Sequence, residues 1–255
     1  MSARPGPAAI LAFALAAATP AFDAYGDEPA PSPPPGRVRV WIHGGLVPGA
    51  SDFTGTQTFT EFAEQGRIES QYREDPGPAF EIGLGLRLRR RLGLTAAGSL
   101  ARRDGAGTFA ATLPHPLYFG AFRPAAGDFR GASRSEGAVH LDLALRGRAG
   151  RLQWTAFAGP SLIRVSADLV QRVEYTQAYP FDTVTVTGTS FATTRDHAFG
   201  FNLGAGLDWP VARHVAIGAQ VRFSRATVSL EPTADDRVEI DAGGVALTGG
   251  LRLDF

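Results

Sequence analysis

His43, His115, His140, His197 and His214 are the side chains of this chain suited to proton transfer near neutral pH. A base needs a nucleophile within hydrogen-bond reach. On a strand, His-x-Ser would place the two on one face. None of the five histidines has Ser two residues on. His140 and Asp142 share a face, which would orient an imidazole, but packing explains that pair better. His115 sits in Leu-Pro-His-Pro-Leu without ligands nearby in sequence. No His/Asp/Glu spacing suggests a metal site. The absence of Cys removes thiol chemistry and Cys-based metal binding. Gly83-Leu-Gly85 lies inside an alternating segment and does not open a helix, so a phosphate loop is not indicated. The reading is of a protein that is not an enzyme, with no catalytic, cofactor or metal residues assigned.

The other chemistry available is ionic. All 25 basic residues are Arg, and 25 acidic residues balance them. We read the lack of Lys as codon bias, and the balance as evidence against a nucleic-acid partner. Glu81, Arg87, Asp142, Arg146, Asp208, Arg222, Arg252 and Asp254 fall in the polar register of alternating segments. So does Arg39. These residues form the candidate charged network.

The elements that must position them have period 2. Val38 to Leu46, Phe80 to Leu88, Leu92 to Leu100 and Val139 to Leu145 alternate apolar with polar or small residues. Leu152 to Leu162, Phe199 to Trp209, Val215 to Phe223 and Val245 to Phe255 do the same. Each is long enough for one tilted bilayer crossing. Short links fall near 89–91, 147–150 and 210–213. Long ones fall near 51–79, 104–137, 166–196 and 231–243. The expected fold class is all-β, an eight-stranded antiparallel up-and-down transmembrane barrel, with short periplasmic turns and long extracellular loops. An Arg at mid-membrane on the lipid face costs about 2–4 kcal/mol, so the arginines must face the lumen. An eight-stranded interior is just wide enough for side chains to fill it. The charges would pair there and plug the barrel, with lumenal glycines leaving room for guanidinium groups.

Domain limits follow. Residues 1–24 read as a signal peptide, with Arg4 before the apolar run 8–18 and cleavage after Ala21 or Ala24. Residues 25–36 read as a Pro-rich periplasmic linker, and 37–255 as the barrel. Loops one to three carry many aromatics, among them Phe53, Tyr72, Phe109, Tyr118, Phe119, Tyr175 and Tyr179. Packed together they are structural; exposed they make a binding surface. Asp168 to Thr176 and Asp182 to Thr194 favour β-structure and would extend their strands above the membrane.

The strand pattern, the loop asymmetry and the ending Gly-Gly-Leu-Arg-Leu-Asp-Phe255 resemble small eight-stranded bacterial outer-membrane barrels. These include the outer-membrane protein A barrel domain and the opacity-type and porin-like proteins. The resemblance covers residues 37–255 and lacks a periplasmic peptidoglycan-binding domain. It implies a Gram-negative envelope protein in the cell outer membrane. It also implies Phe255 as an assembly signal read by barrel-assembly machinery. The partners it implies are outer-membrane lipid and lipopolysaccharide, and an extracellular protein or glycan; a monomer is expected. The expected function is structural or surface-binding through extracellular loops, with the lumen plugged. A narrow porin-like channel for small solutes is the alternative, and a lipid-modifying enzyme the third.

Overall fold

The computed structural model describes residues 37–230 and 238–255. The signal peptide and Pro-rich linker lie outside the described residues, as does most of the fourth long link. The strands are β1 (Val38–Val47), β2 (Ser51–Glu61), β3 (Glu64–Glu74), β4 (Gly77–Arg87) and β5 (Leu92–Pro114). They continue as β6 (Phe122–Ala149), β7 (Leu152–Gln177), β8 (Val184–Pro210), β9 (Val215–Leu230) and β10 (Val238–Asp254). All pairings are antiparallel.

Eight strands close into a ring in the order β5-β4-β1-β10-β9-β8-β7-β6, with β6 returning to β5. Closure removes every edge within the ring, which backbone in lipid requires. The β2–β3 hairpin stands above β1 and β4 and joins β5 through β3. Tight connections at 88–91, 150–151 and 211–214 lie at one end. Gly150 takes the left-handed conformation there, at φ 61°.

The long links were expected as loops, and most of their length is strand. β5 and β6 pair from Leu92↔Leu145 up to Pro114↔Phe122. β7 and β8 pair from Gln153↔Asp208 up to Gln177↔Val184, so β-structure covers most of the two stretches of β propensity in the third link. The barrel therefore rises well past its lipid-facing band.

That band is defined by exposure. Ile82, Leu84, Leu94, Leu141, Leu143, Leu203, Ile217, Leu247 and Leu251 point outward and are each 42% or more exposed. Higher up, the same faces carry Arg102, Arg164, Arg195, Arg225, Asp241 and Glu239. Inward-facing residues change in the opposite sense. On β9, Gln220 and Arg222 give way to Ala226, Val228 and Leu230. On β7, Gln153 and Ser161 give way to Ile163, Val165 and Leu169. Below the boundary the surroundings are lipid and polar groups go inside. Above it the surroundings are water and the apolar groups go inside.

Candidate functional site: the barrel interior and its outer rim

The interior is stacked in layers. Nearest the tight turns, Asp254 on β10 accepts from Arg39 Nε on β1 at 2.8 Å and from Arg252 Nη2 at 3.0 Å. Arg252 also pairs with Asp208 on β8, and its Nη2 donates to Gln153 Oε1 on β7 at 2.6 Å. Arg146 on β6 shares this layer. Its guanidinium lies over Gly85 and Gly93, where any side chain would crowd it. Its Nε and Nη2 are buried and find no hydrogen-bond partner among the described residues. Arg87 is half-buried on the inward face of β4.

The next layer centres on Arg222 of β9. Nε donates to Glu81 Oε2 on β4 at 2.9 Å, and Nη1 to Asp142 Oδ2 on β6 at 3.1 Å. Its guanidinium covers the Phe157 ring at 4.5 Å. Trp41 Nε1 donates to Glu81 at 2.8 Å, and Gln220 Nε2 at 2.9 Å. Asn202 Nδ2 donates to Asp142 Oδ1 at 2.7 Å. Arg222, Glu81 and Asp142 are 4%, 2% and 1% exposed. One guanidinium thus ties strands from opposite sides of the ring, and hydrogen bonds occupy the carboxylate oxygens. Paired and bonded is the condition under which buried charge is tolerated.

His140 stands beside this layer, 1% exposed. Its Nε2 is 2.9 Å from Ser99 Oγ and its Nδ1 2.8 Å from Ser161 Oγ. The serines come from β5 and β7, so a search along one strand could not find them. The imidazole is enclosed, and the two serine contacts satisfy its ring nitrogens. Asp142 bonds Arg222 and Asn202 and makes no hydrogen bond to His140.

A third layer lies in what read as loops. Glu74 on β3 meets Arg103 Nη1 on β5 at 3.3 Å and Arg134 Nη1 on β6 at 3.4 Å. Arg134 Nη2 reaches Glu136 Oε1 at 2.6 Å. Gly243, at φ 98°, donates its N–H to Glu136 at 2.8 Å. Burial pushes the Glu74 carboxyl above its ordinary range, and the two arginines pull against that.

Above these charges the interior turns apolar. Ile68, Phe109, Leu113, Ile163, Val165, Leu169, Val228, Leu230 and Ile240 form one buried core. Phe53 stacks on Tyr72 at 4.4 Å, Tyr72 meets Phe129 at 5.0 Å, and Phe129 meets Phe191 at 5.8 Å. Val170 N–H of β7 donates to the Tyr72 hydroxyl of β3 at 2.7 Å. β3 and β7 are separated by β5 and β6 around the sheet, so these contacts cross the interior.

The hairpin tips are tied together at the outer rim. Gly120 N–H donates to Glu64 Oε1 at 2.6 Å, linking the β5–β6 tip to the β2–β3 tip. Arg123 donates to Phe181 O at 3.1 Å, linking it to the β7–β8 tip. The loop aromatics divide accordingly. Tyr72, Phe109 and Phe129 are buried, while Phe62, Tyr118, Phe119 and Tyr179 are 46%, 62%, 87% and 81% exposed. At the other end, Phe255 exchanges backbone hydrogen bonds with Val38 at 2.8 and 3.0 Å. Its ring stacks near His214.

Sequence reasoning did not identify Trp41, Asn202 or Gln220 as partners, because register gives a residue's face and not its neighbours. It placed Glu74, Arg134 and Glu136 in loops. The inward parity of Arg103 on β5 was the available signal, since the alternation of β5 runs unbroken past it.

Among solved structures the chain is similar to the outer membrane protein OprG from Pseudomonas aeruginosa. Identity is 10% over 87% of this chain and 97% of that one, with a TM-score of 0.47. It is similar to Neisserial surface protein A at 13% identity, 86% and 97% coverage, and a TM-score of 0.41. It is also similar to Ail, the attachment invasion locus protein of Yersinia pestis, at 10% identity, 85% and 99% coverage, and a TM-score of 0.36. No protein-family model and no curated protein sequence matches the chain. Eight strands closed into a ring, with an apolar belt outside and ion pairs within, give this chain the fold of an eight-stranded membrane β-barrel.

Proposed function

We propose that this protein is a plugged barrel of the cell outer membrane that works through the β-structure it raises outside. Its role in this reading is structural or surface-binding. The observation that carries it is the apolar core above the ionic layers, where Val165, Leu169, Val170, Val228 and Leu230 are 0% exposed. Side chains from across the ring meet there and fill the interior. Ions crossing would have to break both this core and the Arg222 layer beneath it.

Function then moves to the rim, where the tied tips hold Phe62, Tyr118, Phe119 and Tyr179 exposed. We read these exposed rings as the interaction surface. An extracellular protein or glycan is the partner class. Phe255, closing β10 against β1, serves as the assembly signal; its deletion lowers the amount of folded, heat-modifiable protein in the outer membrane.

Planar-bilayer recording of the purified protein tests the plug. The expected result is no stable conductance. Reproducible, size-selective flux replaces this reading with the narrow channel for small solutes.

A further inference from the structure

We infer that the outer wall of β4–β8 holds a phosphorylated glycolipid of the outer leaflet, of lipopolysaccharide type. Its acyl chain would lie in a glycine-floored groove and its phosphate on a row of arginines. This rests on the outer-membrane placement proposed above and is independent of the closed lumen.

The register sets out the wall in rows. Arg102, Ser135, Ser166 and Arg195 are successive cross-strand neighbours on β5, β6, β7 and β8. The row beneath is Phe80, Leu100, Gly137, Arg164 and His197. Beneath that come Ile82, Gly98, Val139, Leu162 and Phe199. Charge therefore begins one row above continuous apolar surface, at the height where lipid headgroups begin.

The wall is dented between those rows. Gly98 stands between Ile82 and Val139, and Gly137 between Leu100 and Arg164. A Cβ at Gly98 would meet nothing within 4 Å, and one at Gly137 only Leu100 Cδ2 at 3.5 Å. Neither glycine is needed for its backbone angles or for packing. What the pair leaves is a groove of about 660 Å³ walled by Phe80, Ile82, Leu100, Val139 and Leu162, running up to Arg164 and Arg195. Its apolar lining suits a hydrocarbon chain.

The arginines are available. Arg164 is exposed and makes no hydrogen bond or ion pair among the described residues. Arg195 has one neutral bond, to Ser166 Oγ at 3.3 Å. Arg102 reaches Asp104 at 3.6 Å, both more than two-thirds exposed, a pairing of little strength in water. Asp196 bonds the N–H of His197 at 2.7 Å. On the adjoining strand β9, Arg225 is neutralised by Asp241 at 3.0 Å. Against the single carboxylate of Asp196 in the groove's lining, Arg164 and Arg195 leave positive charge in excess above it. Guanidinium groups bind phosphate through paired N–H donors, so a lipid with a chain below and a phosphate above meets both features at once.

Native mass spectrometry of the folded full-length protein in detergent tests this, with bis-phosphorylated lipid A titrated against its dephosphorylated form. We expect at least a tenfold preference for the phosphorylated lipid. Arg164→Gln with Arg195→Gln should abolish the preference, and Gly98→Leu should weaken both lipids alike. Equal affinity of the wild-type protein for the two lipids overturns the inference without any variant. So does competition by inorganic phosphate together with indifference to Gly98→Leu, which would mean a soluble-anion site. A folded, non-conducting barrel without phosphate preference refutes only this inference. Failure to insert into bilayers refutes the placement beneath it.

Discussion

The lower and upper halves of the barrel are built from the same strands with opposite chemistry. On β9 the odd positions Ile217, Val221 and Phe223 face lipid, and the even positions Gln220 and Arg222 face the lumen. A few residues on, the odd positions are Arg225, Thr227 and Ser229 and the even ones Ala226, Val228 and Leu230. The backbone does not change; its surroundings do. Apolar groups sit outside where the outside is hydrocarbon and inside where it is water. Inside and outside of a β-wall thus have no fixed polarity, and the switch marks the membrane surface along each strand.

This contrast can be broken from either side. The largest effect is expected at Arg222→Met, which leaves Glu81 and Asp142 buried without their shared cation in the lower half. Breaking a buried ion pair this way costs about 3–5 kcal/mol, read as a lower urea midpoint for the folded band on unheated gels. Leu169→Ala attacks the upper half. A buried Leu→Ala costs about 2–5 kcal/mol. The upper half should become protease-sensitive while the lipid-embedded half keeps its heat-dependent mobility. Simultaneous loss of both would show that the halves fold as one unit.

A smaller pair of effects sharpens the boundary. Leu141→Arg places a guanidinium in the lipid band and should cost about 2–4 kcal/mol. The same change at Thr227, outward-facing above the switch, should alter stability by less than about 0.5 kcal/mol. Equal costs would put the switch in the wrong place. Smallest of all is Arg225→Ala. It breaks an ion pair whose partners are 58% and 63% exposed, and such pairs contribute about 0.2–1 kcal/mol.

The same contrast explains what the sequence made legible. The eight crossings were readable because lipid demands an apolar outer face for about ten residues at a time. Reading β9 as ending at Phe223 follows from that logic, since the apolar parity flips at Ala226. On β6 a second disguise is added. Gly131, at φ 82°, sits where the pairing with β5 shifts register, so inward residues change from even (Arg134, Ala132) to odd (Phe129, Ala125). A parity search fails across such a bulge. Glu74, Arg134 and Glu136 were lost to the loops because their outward neighbours Arg73, Ser133, Ser135 and Gly137 are not apolar. The upper parts of β7 and β8 were visible because Val and Thr are dense there.

The continuation of β7 past the lipid-facing band has a consequence for recognition. From Ile163 to Gln177 the strand extends about 45 Å along its own length, at about 3.3 Å per residue. It ends beside the tip that carries Tyr179. The aromatic rim is therefore borne on a stiff mast and not on a tether. A ligand meeting it finds the surface already in shape, so little conformational freedom is lost on contact.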